Sequence, residues 1–296
     1  GGQTHLGGYQ EGYVLKIDAS GNPVWASHLG TAGGLDGIYH LAVNSSGDIF
    51  VAGTANESLG AGSTKGNGGL LIARLDSGGA VKWSHVLGDD DATVDDEPNT
   101  NASPTDLTIG PSGHLFVAGF TSVGLGNQTH GGGFGDGFLA KYSQDGQREW
   151  ITLTGGDVDE EYDTVAVGSS GSSYVTGTVG TLQSFEGFSV DGTQNWIEKW
   201  GEYQASDIAI GTNGRIFLVG ETHPHDDIIE DIRVFKYASS GQRKGKVTLG
   251  TKFGDGAGAA WFNAEGQLVV HASLASFKTG DYERAGTYLV RLDPEF

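Results

Sequence analysis

A short strand-like segment occurs five times along the chain, and this repetition limits the folds open to it more than any other feature of the sequence. Each copy opens with a glycine turn, runs through several hydrophobic residues and ends at a small residue, as residues 47–53 do with Gly-Asp-Ile-Phe-Val-Ala-Gly. Repeats spaced by about 50 residues are typical of propellers, solenoids and other arrays of one supersecondary unit. The copies begin at Gly47, Gly113, Gly171, Gly214 and Gly266.

Three further strand-like segments accompany each copy. A segment of small and β-branched residues precedes it, as at 41–43, and a segment that carries Lys or Arg follows it, as at 71–76, with a shortened version predicted at 188–191. A glycine turn then leads to a segment that carries a tryptophan. All four are short, alternate roughly with period two and end in Gly, Asn, Asp or Ser, as β-strands do. Four antiparallel strands in about 50 residues form one propeller blade, so we expect an all-β chain in which residues 1–296 make a single β-propeller domain.

These segments resemble the repeats of the SBBP family, the β-propeller repeats of bacterial surface proteins. The motifs that carry the similarity are Lys16-Ile17-Asp18, Gly21-Asn22-Pro23-Val24-Trp25 and Tyr174-Val175-Thr176-Gly177. The similarity covers nearly the whole chain and weakens over 180–205 and 240–287. The resemblance implies a propeller fold and an extracellular or cell-surface setting, and it implies no catalytic residues.

The repeat is unevenly represented at the two ends of the sequence. The small-residue strand occurs five times, whereas the strand with Lys or Arg occurs six times, first at 13–18 and last at 288–293. We expect the sequence to open inside a blade whose two inner strands come from the C-terminal segments near 259–263 and 267–274. This interpretation gives five blades and leaves 288–293 as a surplus strand. The alternatives are a ring of six or seven blades, cut from or completed by a larger assembly, and an exchange of strands between subunits.

The composition argues against several classes of partner and site. The chain has a formal net charge of −20, with 37 acidic and 17 basic residues. Nucleic acid is not an expected partner, because phosphate contacts need clustered Lys and Arg, and membrane insertion is not expected because no long apolar run is present. Cysteine is absent, which excludes a disulfide, a thiolate metal site and a cysteine nucleophile. The 52 glycines indicate many tight turns.

The densest acidic run lies in an expanded loop between two repeats. Calcium prefers carboxylate and carbonyl oxygens as ligands, and a bound dication would relieve the self-repulsion of a strongly acidic module. The sequence therefore predicts a calcium site, and no other cofactor, at Asp89, Asp90, Asp91, Asp95, Asp96 and Glu97. The alternative is a solvated loop that extends because its like charges repel.

Two smaller groups of polar residues are weaker candidates for metal ligands. The equivalent loop of the next repeat holds Asp157, Asp159, Glu160 and Glu161. A third group, with two histidines suited to a transition metal, comprises His223, His225, Asp226, Asp227, Glu230 and Asp231. His5 and His130 share a Gln-Thr-His loop, which is typical of duplication as well as of a repeated ligand site.

Four tryptophans share one position in the repeat, and two do not. The four are Trp25, Trp83, Trp150 and Trp196. A residue that recurs in each copy is typical of packing between blades, although aromatic faces also stack on sugars in lectins. Trp200 and Trp261 lie outside the shared position and are the better candidates for a specific role, with packing favoured there too.

No known catalytic motif is visible in the sequence. It has no Gly-x-Ser-x-Gly elbow, no His-Glu-x-x-His motif and no phosphate-binding loop of the Walker type. We therefore expect a non-catalytic extracellular propeller that acts as a surface binding, adhesion or structural scaffold module for other surface proteins, glycans or copies of itself. The alternatives are a glycan-binding lectin and a polysaccharide hydrolase that uses carboxylates near the channel.

Overall fold

The computed structural model of the chain describes residues 10–30, 36–55, 69–87, 102–222, 231–250, 255–275 and 285–294. These ranges contain 21 β-strands. No helix capable of traversing a lipid bilayer occurs in them. The strand content confirms the predicted all-β fold.

The strands are six to eight residues long, as is usual in globular proteins. In chain order they are β1 (Gly12–Ile17), β2 (Pro23–Leu29), β3 (Gly37–Val43), β4 (Ile49–Ala55), β5 (Gly69–Leu75), β6 (Val81–Leu87), β7 (Ala102–Ile109), β8 (Leu115–Thr121), β9 (Asp136–Tyr142), β10 (Arg148–Thr154), β11 (Glu160–Val167), β12 (Ser173–Val179), β13 (Leu182–Phe188), β14 (Gln194–Trp200), β15 (Tyr203–Ile210), β16 (Ile216–Thr222), β17 (Ile232–Tyr237), β18 (Arg243–Leu249), β19 (Gly256–Phe262), β20 (Leu268–Ala275) and β21 (Ala285–Leu292).

The described strands form six antiparallel sheets, four of which have four strands. In each of these four sheets, consecutive strands along the chain are neighbours, which is the strand order of a propeller blade. The complete sheets are β3-β4-β5-β6, β7-β8-β9-β10, β11-β12-β13-β14 and β15-β16-β17-β18, and the smaller ones are β1-β2 and β19-β20-β21. We call the strands of a sheet first to fourth in this order. By sequence, β1 and β2 match the third and fourth strands of the other sheets.

The chain divides into two compact units, Gly1–Asp163 and Thr164–Phe296, with the division inside β11. In the first unit, Phe50 and Ile72 pack with Leu107 and Phe138 of the following sheet in one hydrophobic cluster. In the second unit, a separate cluster of aromatic and aliphatic side chains joins Tyr174, Phe185, Ile208 and Leu218. Each unit therefore has its own buried core between successive sheets.

Glycine turns reverse the chain between the first and second strands. In the β3–β4 turn, Gly47 has a φ of 82° and donates its N–H to the carbonyl oxygen of Asn44 at 3.0 Å. The Asn44 side chain caps the turn, because its Oδ1 accepts from the N–H groups of Ser46 and Asp48. Side chains disfavour a positive φ, so the turn explains why glycine opens each copy of the repeated segment.

The glycine that ends the repeated segment is required for a different reason. A bulge in β3 brings its backbone close to Gly53, where an added Cβ would lie 1.9 Å from the carbonyl oxygen of Gly37. The equivalent distance, from an added Cβ to a carbonyl oxygen of the first strand, is 2.1 Å at Gly119 and 1.9 Å at Gly220. Only glycine fits between a second strand and the bulged first strand beside it.

The last sheet accommodates its bulge in another way, which explains why its copy of the repeat is the weakest. The register of β19 passes from Ala257 to Ala260, and Ala272 of β20 stands where the other sheets have glycine. On β19, a Cβ on Gly258 would lie 2.4 Å from Nδ1 of the His271 side chain, and not against backbone as at Gly53.

Tryptophans of the fourth strands connect neighbouring sheets within each unit. The Trp83 indole N–H donates to the carbonyl oxygen of Gln144 at 2.9 Å, and the ring lies against Gly146, where a Cβ would be 2.7 Å from it. The equivalent bonds join Trp25 to Ser77, at 3.1 Å, and Trp196 to Ser239, at 3.2 Å. The packing role predicted for this position of the repeat is confirmed at these three tryptophans.

The structure corrects the shortened third strand predicted at 188–191. The strand is full length and ends at Phe188, and the residues after it form the turn. Its sequence departs from the repeat because Gly187 occupies the position of Lys141 in β9. The ring of Trp196 fills the space, since a Cβ on Gly187 would lie 2.3 Å from that ring.

The structure also corrects the expectation of a surplus C-terminal strand. β21 pairs with β20 from Leu292 opposite Leu268 to Ala285 opposite Ala275, so it is the third strand of its own sheet. β20 pairs with β19 on its other side and does not complete the β1-β2 sheet. The described strands therefore group into six sheets instead of five.

Candidate functional site

The first unit contains a sheet with only its third and fourth strands. β1 pairs with β2 from Gly12 opposite Leu29 to Ile17 opposite Pro23. The equivalent strand β9 pairs with β8 on one side and with β10 on the other. Within the described ranges, β1 has no neighbour on the side where β9 has β8. This open edge of β1 presents backbone groups that another strand can pair with.

One face of β1 exposes apolar side chains whose counterparts are buried. The three side chains are 47 to 64% exposed and belong to Tyr13, Leu15 and Ile17. The residues at the same positions of β9 are at most 1% exposed, and they are Phe138, Ala140 and Tyr142. The three residues of β9 are buried against Phe50 and Ile72 of the sheet that precedes theirs. Among the described residues, no sheet precedes β1 in sequence to cover Tyr13, Leu15 and Ile17 in the same way.

The first strand of the following sheet shows the same contrast. Leu41 of β3 is 57% exposed, whereas Leu107, at the same position of β7, is 6% exposed. Leu107 is buried with Phe50 and Ala52 of a second strand and Ile72 of a third strand. The β1-β2 sheet has no second strand among the described residues, and Leu41 therefore faces solvent.

We define the open strand surface as the open edge of β1 together with the exposed apolar residues of β3 beside it. These residues are Tyr39, Leu41 and Val43. An exposed apolar patch beside an unpaired strand edge is typical of a surface that binds another protein chain. Sequence reasoning missed this surface, because its residues follow the same alternation as the buried strands and only the neighbouring strands distinguish them.

The cation of β1 lies beside the open edge. Lys16 occupies the position at which complete sheets place Arg74 over the ring of Phe50, with 5.8 Å between the guanidinium carbon and the ring centroid. Lys141 lies at the same distance from Phe116. A strand that enters the open edge would place one of its side chains opposite Lys16, and an aromatic ring suits that position.

All six residues of the predicted calcium site lie outside the described ranges. They are Asp89, Asp90, Asp91, Asp95, Asp96 and Glu97. The same holds for His5, His223, His225, Asp226, Asp227 and Glu230. The calcium site therefore stays a prediction. In the part of the chain that the structure describes, no group of three or more His, Asp and Glu side chains is already arranged around a metal position.

The structure does not gather the second acidic group into one ligand set. Asp159 Oδ1 accepts from the Phe134 N–H at 2.6 Å, which ties it to the loop before β9. Glu160 Oε2 accepts from the Gly156 N–H at 3.4 Å. Glu161 lies one residue further along β11. The acids thus serve different parts of the neighbouring loops.

Two carboxyl groups of β11 have raised pKa values. Burial, together with the nearby charge of Glu161, raises the pKa of Asp163 from 3.8 to about 6. Burial also raises the pKa of Glu161. A carboxyl group that titrates this close to neutrality can act as a general acid or base, a property that depends on burial and is not visible in the sequence.

The two tryptophans outside the shared position have different environments. The Trp200 indole N–H donates to the carbonyl oxygen of Tyr203 at 2.6 Å, and the two rings lie 5.7 Å apart. Trp200 is thus a packing residue. Trp261 of β19 is exposed and is the one of the two that a glycan could reach.

Solved structures share this arrangement of sheets. A protein of unknown function from Bacteroides caccae has a TM-score of 0.52 at 11% identity, over 96% of this chain and 90% of that one. The Dos1 propeller has a TM-score of 0.50 at 10% identity, over 87% of this chain and 59% of that one. The chain is similar in fold to β-propeller proteins. A puromycin hydrolase also matches, with a TM-score of 0.51 at 15% identity, over 95% of this chain and 40% of that one.

These similarities show the fold alone, since structures at such low identity often differ in function. The chain spans 59% of the length of the Dos1 propeller and 40% of the puromycin hydrolase. No protein-family model and no curated protein matches the sequence. The propeller type of fold is therefore shown, and the SBBP type of repeat stays an expectation.

Proposed function

We propose that the protein is a non-catalytic, extracellular or cell-surface propeller module that binds another protein by accepting one of its β-strands at the open edge of β1. The observation that carries the proposal is the exposure of Leu41 beside this edge, where Leu107 of the next repeat is buried against a second strand. An incoming strand would pair with the backbone of β1 and cover the apolar face of β3. Strand addition takes its affinity from the backbone and its specificity from alternate side chains.

The registers of the complete sheets indicate which strand fits. Phe50 stands opposite Arg74, and Phe116 stands opposite Lys141. We therefore expect the bound strand to be hydrophobic and to place an aromatic residue opposite Lys16. Copies of this chain and other surface proteins with similar strands are the partners that this pattern favours.

A peptide with the sequence of residues 113–121 tests the proposal, because it reproduces a second strand of the repeat. We expect saturable binding to the full chain, measured by fluorescence anisotropy. Replacing the phenylalanine that corresponds to Phe116 by aspartate in the peptide should weaken binding by about tenfold, since it removes the ring from Lys16.

Two exposed positions of the protein provide matched variants for the same assay. Leu41→Lys places a charge under the bound strand and should weaken binding, whereas Val24→Lys changes a similarly exposed residue of β2 and should not. Absence of peptide binding, or equal binding by both variants and the unchanged chain, would contradict the proposal.

Polysaccharide hydrolysis is a second candidate, favoured by the raised pKa values of Glu161 and Asp163. One carboxyl would protonate the leaving oxygen and a second carboxylate would act as base or nucleophile. A panel of polysaccharides and glycosides tests for turnover. Activity that Asp163→Asn abolishes without a change in circular dichroism would support this candidate, and activity that survives the substitution would exclude it.

A further inference from the structure

Two acidic positions of the repeat occur together. The first lies at the start of a third strand, and the second at the start of the first strand of the next sheet. Both are acidic in three repeats, which have Glu11 with Asp36, Asp136 with Glu160, and Asp231 with Asp255. Neither is acidic in the other two, which have Gly69 with Ala102 and Leu182 with Tyr203. Because the acids are present or absent together, we infer that they act as a pair.

The backbone brings the two positions into contact. The Glu160 N–H donates to the carbonyl oxygen of Gly135, the residue before Asp136, at 2.8 Å. In the third pair, a Cβ on Gly250 would lie 2.2 Å from Asp231 Oδ1 and 3.3 Å from Asp255 Oδ2. Both carboxylates of that pair therefore point to one small volume beside a glycine.

The second pair contains a buried oxygen without a hydrogen bond. Asp136 is fully buried, and its Oδ2 accepts from the Gly131 N–H at 2.7 Å. Its Oδ1 has no hydrogen-bond partner and lies 3.6 Å from His130 Nε2, a buried atom that also has none. Buried polar atoms without partners are rare. Metal–ligand bonds of about 2.0–2.2 Å place two ligand atoms roughly 3 to 3.6 Å apart, so this oxygen and nitrogen are spaced to bind one ion.

A histidine also adjoins the first pair. His28 Nδ1 lies 3.1 Å from Glu11 Oε2. His28 belongs to β2, whereas His130 precedes β9, so the two histidines occupy different positions of the repeat. A histidine therefore adjoins one acid of each of these two pairs.

We propose that His130, Asp136 and Glu160 bind a divalent metal ion of the Mn²⁺ or Zn²⁺ class. Two buried carboxylates repel each other and lose hydration, and a bound dication offsets both costs. One imidazole nitrogen with carboxylate oxygens suits these metals.

Binding at the second pair requires a movement of Glu160. The three side chains do not yet surround one point, and Glu160 Oε2 is held at the Gly156 N–H. Rotation of the Glu160 side chain toward Asp136 would complete a set of one nitrogen and carboxylate oxygens, with water in the remaining positions. This metal site is independent of the strand-binding function and of the calcium loop predicted from the sequence.

Titration of the full chain with Mn²⁺ tests the site, with the free ion measured by electron paramagnetic resonance. We expect Asp136→Asn and His130→Gln each to remove one bound ion per chain or to weaken one site by about tenfold or more. Asp145→Asn is the matched control, because it removes the same charge from a side chain that is 93% exposed. It should leave Mn²⁺ binding unchanged.

Circular dichroism checks that each variant is folded, and His130→Gln decides the result if the buried Asp136→Asn does not fold. Mn²⁺ binding that is the same in the unchanged chain and in His130→Gln would overturn the proposal, since the histidine would then only neutralise the carboxylates. An equal loss in Asp145→Asn would also overturn it, because binding would then follow the overall negative charge.

Discussion

At the scale of single residues, backbone geometry determines which glycines the repeat needs. A Cβ on Gly119 would lie 2.1 Å from the carbonyl oxygen of Ser103, so Gly119→Ala forces β7 and β8 apart. We expect a loss of about 1–3 kcal/mol in the free energy of unfolding, measured by urea denaturation. Ala272→Gly, at the same position of the last sheet, should cost only about 0.5–1 kcal/mol through chain entropy. Equal losses of stability in Gly119→Ala and Ala272→Gly would show that the close approach of β7 does not require glycine at residue 119.

Asp163→Asn tests the raised pKa of this carboxyl through stability. A pKa that rises from 3.8 to about 6 on folding means that the folded state binds the proton more tightly, so the stability of the unchanged chain falls as pH rises from about 4 to about 6. Asparagine cannot ionise. The variant should therefore be more stable than the unchanged chain by about 1–2 kcal/mol at pH 7, allowing for solvent screening, and little different below pH 4. If the difference in stability between Asp163→Asn and the unchanged chain does not vary with pH, ionisation of the Asp163 carboxyl is not its cause.

The sequence predicted some of these residues and not others. The turn glycines such as Gly47 follow from local chemistry, because a positive φ is required within four residues. Asp136 and Glu160 are separated in sequence by the rest of β9, by β10 and by the connections after each, and nothing local indicates that their backbones lie together. The raised pKa of Asp163 depends on burial by the fold, which a repeat pattern does not contain.

At the scale of strands and sheets, the tryptophans of β2, β6 and β14 stabilise the contact between two sheets. Trp83→Phe removes the hydrogen bond to Gln144 and part of the ring that covers Gly146. We expect a loss of about 1–2 kcal/mol in the free energy of unfolding. The same change at the exposed Trp261 should stay within about 0.5 kcal/mol. Chemical denaturation measures the free energy of unfolding of both variants. Similar losses at Trp83 and Trp261 would show that Trp83 does not stabilise the contact between the two sheets.

The strands themselves were predictable wherever the repeat kept its side chains. β13 was misplaced because Gly187 replaces the expected cation and the ring of Trp196 takes its space. The prediction that residues 288–293 form a surplus strand was wrong, because the sequence indicates the type of a strand and not its neighbour. Pairing between distant segments depends on the folded arrangement, and two third-strand segments at the ends of the chain look alike in sequence.

At the scale of the whole chain, the described strands form four complete propeller-type sheets, flanked in sequence by one sheet with two described strands and one with three. The fold class followed from the repeat, whereas the count of sheets did not, since it depends on which end strands pair. Among the described residues, no second strand lies beside β1, and Leu41 of β3 is exposed whereas Leu107 of β7 is buried. The proposed function thus depends on a departure from the repeat, and the repeat alone does not reveal it.

Amide hydrogen exchange of the full chain, with and without the peptide of residues 113–121, tests the strand-binding function most directly. In the free chain, β1 should exchange faster than β9, because only one of its edges is paired among the strands that the structure describes. Saturating peptide should slow exchange in β1 and leave β9 unchanged. Protection of β1 equal to that of β9 in the free chain, or exchange in β1 that the bound peptide does not alter, would contradict strand binding at this edge.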